Sequence, residues 1–396
     1  MEAPLRQAFN AEFTEDRYQQ LLQAIEADCG YRPTFRIAET PFFMPKKLQK
    51  QLEAAFEQLM DVVLAPDFMS RTEMALDLNH RVPGPEGHPH FMAIDFGICE
   101  ENGEIVPKLI EAQGFPSLFH FQAQLDRHFK NQYPILQGLS PFFNGYDTTT
   151  YLQTLDRIIK ADVPAESVIL LEIEPHKQNT RIDFLYAEQA MGVRPTCVTE
   201  VFAQGNHLYY RNDQGRDIRI ERIYNRVIFD ELDQRSDLNL RFDFHQQCEV
   251  TWVTHPNWFF RMSKYMLPWL QGPYFIETQL LSTLKEIPSD LENYVLKPLF
   301  SFSGSGVEYH VKPEHIAAVT RPDLYVLQRK VQYAPVIQAP DGGVKVEVRL
   351  LALWPEGDKR PHLATNLVRL SRGEMIGVKF NKDKTWVGGS IGLMQP

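Results

Sequence analysis

The chain has 396 residues and a formal net charge of −10, from 41 Lys and Arg against 51 Asp and Glu. A chain this acidic repels phosphate backbones, so nucleic acid is excluded as a general partner. With 43% hydrophobic and 23% charged residues, the composition is also too apolar for a disordered protein. The length predicts two or three domains.

The four cysteines are widely spaced and form no CxxC pair, which argues against a disulfide framework and a zinc site. The N-terminal residues contain no apolar signal core, and no run approaches the ~18 apolar residues that a membrane helix needs. We therefore expect a soluble, cytoplasmic protein with no membrane partner.

The first part of the chain alternates between helical and strand patterns. Apolar residues at helical spacing predict helices over 15–28 and 46–64. An apolar run over 91–98, a turn at Asn102-Gly103 and a returning run over 106–113 predict a β-hairpin. Further helical patterns cover 118–132 and 147–160.

A different unit opens near residue 165. The short apolar run 168–173 is typical of a strand inside a parallel sheet. A helical segment over 179–191 follows and ends at Gly192, as expected of a C-cap. The pattern predicts a small α/β domain over 165–250, inserted between two flanking segments. Further strands are predicted at 194–198, 206–210, 218–224, 294–298, 324–331 and 344–353. One short helix is predicted over 262–270, and Gly342-Gly343 is predicted to form a turn.

A phosphate-binding loop is a candidate feature near residue 300. An apolar strand there carries Lys297, and the loop after it contains Ser303, Gly304, Ser305 and Gly306. Small residues let backbone N–H groups approach phosphate oxygens, and a lysine supplies a point charge. The pattern is not a P-loop, because no Gly-Lys-Ser/Thr opens a helix. The alternative is an ordinary Ser/Gly loop without a ligand.

The predicted hairpin carries a second candidate site. Glu111 and Gln113 lie on one face of the returning strand, and the turn brings Asp95 across from them. Oxygen-rich side chains on adjacent strands can hold Mg²⁺ and leave positions for phosphate oxygens. The alternative is a solvated face of the sheet.

Two arginines on late strands are candidate clamps for a phosphate or a carboxylate. Glu347 and Arg349 lie on the same face of their strand, and Arg369 follows in the next apolar run. Arginine is well suited to such anions, although arginines on exposed strands are commonly only solvated.

The order of these segments resembles that of circularly permuted ATP-grasp proteins, in particular the branch of glutathione synthetase and glutathionylspermidine synthase. Asp95 followed by Lys108-Leu109-Ile110-Glu111-Ala112-Gln113 resembles the metal-ligand hairpin of that family. The run 168–174 with the later Tyr224-Asn225-Arg226-Val227 resembles the small domain that these proteins insert. Val295-Leu296-Lys297-Pro298 and the loop after it resemble their nucleotide lysine and flexible glycine loop. The resemblance spans about residues 90–396.

This resemblance implies an α/β fold whose ATP-grasp core is assembled from both ends of the chain. The core would consist of 91–164 and 251–396, with a lid at about 285–325. A Rossmann-like (pre-ATP-grasp) domain over 165–250 would be inserted into it. Residues 1–90, a predicted helical segment, match no part of the family pattern.

The resemblance also implies a site and a reaction. Asp95, Glu111 and Gln113 would hold Mg²⁺, while Arg349 or Arg369 would face an acyl-phosphate. The implied activity is ATP-dependent ligation of a small-molecule or peptide carboxylate to an amine through that acyl-phosphate. Residues 388–390 would resemble the glycine loop on the substrate side. The implied ATP-binding residues are Lys264, Lys297, Ser303, Gly304, Ser305, Gly306, and the hinge residues Gln328 and Lys330.

Two departures from the family pattern keep alternatives open. Gln113 stands where the family usually has Asn, and Ala93 stands where the synthase branch carries an Arg two residues before the metal Asp. Loss of that charge removes a clamp on the transferred phosphoryl group. One alternative is therefore a degenerate member that binds Mg-nucleotide without ligation. Another is a structural protein that binds no nucleotide.

Overall fold

The computed structural model describes residues 3–77, 79–301, 305–340, 342–376 and 380–395. In these ranges the α-helices are α1 (Ala3–Glu12), α2 (Glu15–Cys29), α3 (Lys46–Val63), α4 (Phe68–Arg71), α5 (Phe119–Gln132), α6 (Thr148–Lys160), α7 (Arg181–Met191), α8 (Phe229–Asp233), α9 (Trp258–Arg261) and α10 (Pro313–Ala317). The strands are β1 (Phe42–Phe43), β2 (Phe91–Glu101), β3 (Glu104–Gln113), β4 (Val168–Glu172), β5 (Arg194–Cys197), β6 (Phe202–Gln204), β7 (His207–Arg211), β8 (Asp217–Ile220), β9 (Arg222–Asn225), β10 (Thr251–Val253), β11 (Thr278–Leu280), β12 (Tyr294–Pro298), β13 (Tyr325–Arg329), β14 (Ile337–Ala339), β15 (Gly342–Leu353), β16 (His362–Ser371), β17 (Gly388–Ser390) and β18 (Gly392–Leu393).

The central sheet is antiparallel and has the strand order β17-β16-β15-β2-β3, with β14 also paired to β15. The predicted hairpin is confirmed: β2 and β3 pair directly, and Asn102 and Gly103 both have positive φ, as their tight turn requires. The neighbour of β2 on its other side is β15, which lies far along the chain. This sheet therefore joins residues 91–113 to residues 342–390.

One face of the central sheet is covered by apolar side chains. Leu52 and Phe56 of α3 belong to the same buried cluster as Phe96 of β2 and Val346 of β15. The predicted helices over 15–28 and 46–64 are confirmed as α2 and α3. Residues 1–90, which the family pattern leaves unassigned, thus contribute helices that pack on this core.

A parallel sheet with the order β10-β9-β4-β5 lies between the two groups of central strands in the sequence. The apolar run 168–173 is confirmed as β4, which is buried along its whole length. The prediction of a single strand over 218–224 is wrong, because the exposed Glu221 divides this segment into two strands, β8 and β9. β8 belongs to an antiparallel sheet with β6 and β7, whereas β9 belongs to the parallel sheet. The burial pattern alternates in β8 and becomes continuous in β9, which explains the division.

A third sheet, with the order β11-β13-β12, is antiparallel and carries Lys297 and Gln328. The short helix predicted over 262–270 is a 3-10 helix, Lys264–Trp269, with Pro268 inside it. Proline lacks the N–H that an α-helix would need there. The turn predicted at Gly342-Gly343 is also wrong, because these residues begin β15 and pair with Ala339 and Gln338.

Within the described ranges, no helix is both long enough and apolar enough to cross a membrane.

We predict that Glu172→Gln stabilises the protein at alkaline pH. Burial raises the pKa of Glu172 to about 8, although Arg226 opposes the shift. The unfolded chain ionises this carboxyl at a lower pH than the folded chain does, so stability is lost as the pH rises from about 4.5 to about 8. Glutamine cannot ionise and avoids this loss. One pKa unit corresponds to about 1.4 kcal/mol, so we expect a gain of a few kcal/mol at pH 9 and little at pH 4.

Urea denaturation at both pH values measures this effect. The exposed Glu166→Gln is the matched control and should stay within about 0.5 kcal/mol of the parent. Equal stability of Glu172→Gln and the parent at pH 9 would show that the buried carboxyl does not limit alkaline stability.

Candidate active site

Asp95 lies at the centre of a charged cluster in the central sheet. It is opposite Glu111 of β3 and opposite Arg349 of β15 in the strand register. Residues directly opposite one another on antiparallel strands place their side chains on the same face. The predicted proximity of Asp95 and Glu111 is therefore confirmed, and Arg349 joins them from the far end of the chain.

The Asp95 carboxylate is fully buried and is held by two guanidinium groups. Arg349 binds it at two points, with 2.5 Å from Nε to Oδ1 and 2.7 Å from Nη2 to Oδ2. Arg369 of β16 also donates to Asp95 Oδ2. Burial alone would raise the pKa of Asp95, but the two guanidiniums outweigh it and hold the pKa below its ordinary value.

Glu347 forms a second buried carboxylate beside Arg369. The two side chains form an ion pair, and the Tyr333 hydroxyl donates to Glu347 Oε2 at 2.8 Å. Burial raises the pKa of Glu347, and the positive charge of Arg369 opposes the shift. The sequence pattern indicated that Glu347 and Arg349 share a face, but it gave no sign of Tyr333.

Lys264 approaches this cluster from the 3-10 helix. Its Nζ lies 3.4 Å from Glu111 Oε2 and donates to the carbonyl oxygen of Ser301 at 3.0 Å. A small pocket of about 10 Å³, partly open to solvent, lies beside this pair and is also lined by Gln113 and Phe300. Lys264, which the resemblance implied as a nucleotide ligand, thus lies next to an implied metal ligand.

Lys297 lies on β12 and is buried, with 8% of its surface exposed. Its Nζ donates to Gln328 Oε1 at 2.5 Å. Burial lowers the pKa of Lys297 to about 8, with Glu111 raising it and Lys264 lowering it further. Lys297 and Glu111 are therefore near enough for their charges to interact.

The described part of the glycine loop folds back on β12. Gly306 has φ +67, which favours glycine, and a Cβ there would lie 2.9 Å from Pro298 Cγ. Ser305 precedes it, and Glu308 bridges back to Leu296. Ser303 and Gly304 lie outside the described residues.

Two predicted segments remain, the hinge residue Lys330 and residues 388–390, and the second adjoins the charged cluster because Gly389 lies directly opposite Arg369. The Nζ of Lys330 lies 4.0 Å from the ring centroid of Tyr309. Residues 388–390 form β17, and a Cβ on Gly388, which has φ +125, would collide with the carbonyl oxygen of Arg36. The expected substrate-side loop at 388–390 is therefore corrected to a strand packed closely against the N-terminal segment.

The side chains that would hold a divalent cation lie around Glu111, and other groups already contact several of their oxygens. Gln113 Nε2 donates to Glu111 Oε1 at 3.1 Å, which leaves the amide oxygen of Gln113 for another partner. The carboxyl groups of Asp95 and Glu111 also contact each other, and such a pair needs a proton or a cation between them. Asp95 itself already contacts guanidinium nitrogens through both oxygens. In the part of the chain that the structure describes, no group of three His, Cys, Asp or Glu residues forms a metal site, so a cation here would depend on the amide of Gln113.

Comparisons with known proteins find similarity among solved structures. No protein-family model and no curated protein matches the chain. Among solved structures, the chain is similar to a glutathione synthetase-like effector from Globodera pallida in its apo form. The TM-score is 0.59 at 10% sequence identity, and the match covers 96% of each chain. The similarity supports a mixed α/β fold like that of this effector, whereas the ATP-grasp core, the circular permutation and the domain boundaries stay predictions.

Proposed function

We propose that the protein is an ATP-dependent carboxylate–amine ligase of the ATP-grasp type. The observation that carries the proposal is the charged cluster in a fold similar to that of a glutathione synthetase-like protein. Four cations, Lys264, Lys297, Arg349 and Arg369, meet three carboxylates there. This local excess of positive charge lies within a chain of net charge −10, and it favours a ligand with several negative charges, such as a nucleotide.

In the proposed reaction, a substrate carboxylate oxygen takes the γ-phosphoryl group of ATP and ADP is released. The nitrogen of an amine then attacks the carbonyl carbon of the acyl-phosphate, phosphate leaves, and the amine loses a proton to give an amide. Lys264 and Lys297 would bind the nucleotide phosphates, and Arg349 and Arg369 would stabilise the transferred group. When bound at Glu111 and Gln113, Mg²⁺ would neutralise negative charge on the phosphates. No protein nucleophile is needed.

A coupled assay of ADP release tests this proposal. Pools of amino acids, short peptides and polyamines are added to the protein with Mg-ATP, and we expect ADP release that needs both a carboxylate and an amine. Titration calorimetry with Mg-ATP is run in parallel. Absence of nucleotide binding in calorimetry would contradict the proposal directly.

A second candidate is a degenerate protein that binds Mg-nucleotide without ligation. Two observations favour it: both oxygens of Asp95 contact guanidiniums, and the position opposite Gln113 is Ala93, which carries no charge. This candidate predicts binding of Mg-ATP in calorimetry and no ADP release with any pool. The same pair of measurements therefore separates the two candidates.

A further inference from the structure

Gln328 connects the three strands of the β11-β13-β12 sheet through its side chain. It lies directly opposite Thr278 of β11 and Val295 of β12. Because Lys297 is two residues beyond Val295, it lies diagonally across from Gln328 on the same face. Only 3% of the surface of Gln328 is exposed.

The hydrogen bonds of Thr278 fix the orientation of the Gln328 amide. The Thr278 hydroxyl donates its proton to the carbonyl oxygen of Ile276 at 2.9 Å. Its oxygen is then left to accept from Gln328 Nε2 at 3.1 Å. With the amide nitrogen directed to Thr278, the amide oxygen faces Lys297 Nζ at 2.5 Å.

Lys297 differs from the other cations of the cluster in the charge of its partner. Lys264 lies beside Glu111, Arg349 binds Asp95, and Arg369 binds Asp95 and Glu347. Among the residues that the structure describes, the hydrogen-bond partner of Lys297 Nζ is the neutral amide of Gln328. Within the described ranges, therefore, no carboxylate contacts Lys297 Nζ and cancels its positive charge.

We propose that Gln328 is a positioning residue, which holds Lys297 Nζ in place and leaves its charge available to the phosphates of a nucleotide. This inference rests on the proposed function and adds to it a side-chain role for Gln328. A glutamate at this position would cancel the charge of Lys297. A methionine of similar size would leave the buried ammonium without its acceptor.

Charged groups around Lys297 shift its pKa in both directions. Burial is the largest influence and lowers its pKa, Lys264 lowers it further, and Glu111, Glu347 and Asp95 raise it. Loss of the amide acceptor lowers this pKa further, because the acceptor stabilises the ammonium form. A carboxylate in place of the amide raises it.

The test compares Gln328→Met and Gln328→Glu with the full-length parent. Calorimetry measures the affinity for ATP and for inorganic triphosphate, without metal, from pH 6.5 to 9. We expect both variants to bind about tenfold or more weakly at pH 8, with Gln328→Met recovering affinity at pH 6.5 and Gln328→Glu not recovering it. The control is Gln279→Met, which makes the same change at an exposed position of β11 and should bind like the parent.

A second measurement reports on Lys297 without any ligand. An amine-reactive reagent is applied over the same pH range, and mass spectrometry follows the labelling of Lys297. We expect its half-labelling pH to fall in Gln328→Met and to rise in Gln328→Glu, a pair of opposite shifts that a merely structural role would not produce. If either variant does not fold, as judged by circular dichroism, the other still gives a defined shift.

Unchanged labelling and unchanged triphosphate affinity in both variants would overturn the role of Gln328. Failure of the parent to bind ATP at any pH would instead overturn the proposed function, and the labelling shifts would still test the contact between Gln328 and Lys297. The two failures are thus distinguishable.

Discussion

Lys297→Ala is expected to weaken Mg-ATP binding at least tenfold. The change removes a cation that we propose to contact the nucleotide phosphates, and a charge-assisted contact is worth about 1.5–3 kcal/mol. Since a tenfold change in affinity corresponds to about 1.4 kcal/mol, calorimetry can measure this loss. Glu111→Ala should give a different result, with weaker dependence on Mg²⁺ and partial retention of metal-free nucleotide affinity.

Lys50→Ala is the matched control for these variants. Lys50 is an exposed lysine of α3, outside the predicted lid, so its removal should leave nucleotide affinity unchanged. Lys297 is buried, so the folding of each variant must be checked by circular dichroism. If folded Lys297→Ala and Glu111→Ala both bound Mg-ATP like the parent, the nucleotide site would lie elsewhere in the protein.

Asp95→Ala is expected to lower the free energy of unfolding by about 3 kcal/mol. Asp95 is fully buried, and its removal leaves Arg349 without its two-point partner inside the sheet. Breaking a buried ion pair by removing one partner costs about 3–5 kcal/mol. We expect a loss at the lower end of this range because Arg369 is partly exposed and keeps its ion pair with Glu347. Urea denaturation at neutral pH measures the change.

The surface pair of Arg321 and Asp323 supplies the control. Both side chains are more than half exposed, so Asp323→Ala should change stability by less than about 1 kcal/mol. Equal, small losses in Asp95→Ala and Asp323→Ala would mean that the arginine pairs at Asp95 do not hold the central strands together.

The sequence could predict the hairpin and the residues on its face. The period of two places Glu111 and Gln113 together, and Asn102-Gly103 specifies the tight turn. The sequence could not predict that β15 is the neighbour of β2, because strand order is set by packing between distant segments. The contact between Asp95 and Arg349 therefore could not be predicted, although each residue was a candidate site residue.

Other features could not be predicted from the sequence because local patterns contain no information on tertiary contacts. Nothing around Tyr333 indicates that its hydroxyl reaches Glu347. The glycines near 388 suggest an open loop, whereas Gly388 is required by the close approach of the Arg36 carbonyl. Likewise, the side chain of Gln328 was expected only as part of a hinge, and its contact with Lys297 depends on the register of β12 and β13.

The pairing of β2 with β15 also has a consequence for how the chain folds during synthesis. Asp95 and Arg349 are separated by 254 positions, so β2 leaves the ribosome long before its partner exists. The strands β4, β5 and β9 are much closer in sequence, and contacts of short separation form faster because less loop-closure entropy is lost. We expect the parallel sheet to form first. The apolar faces of β2 and β3 remain exposed, and can therefore aggregate, until the C-terminal strands are synthesised.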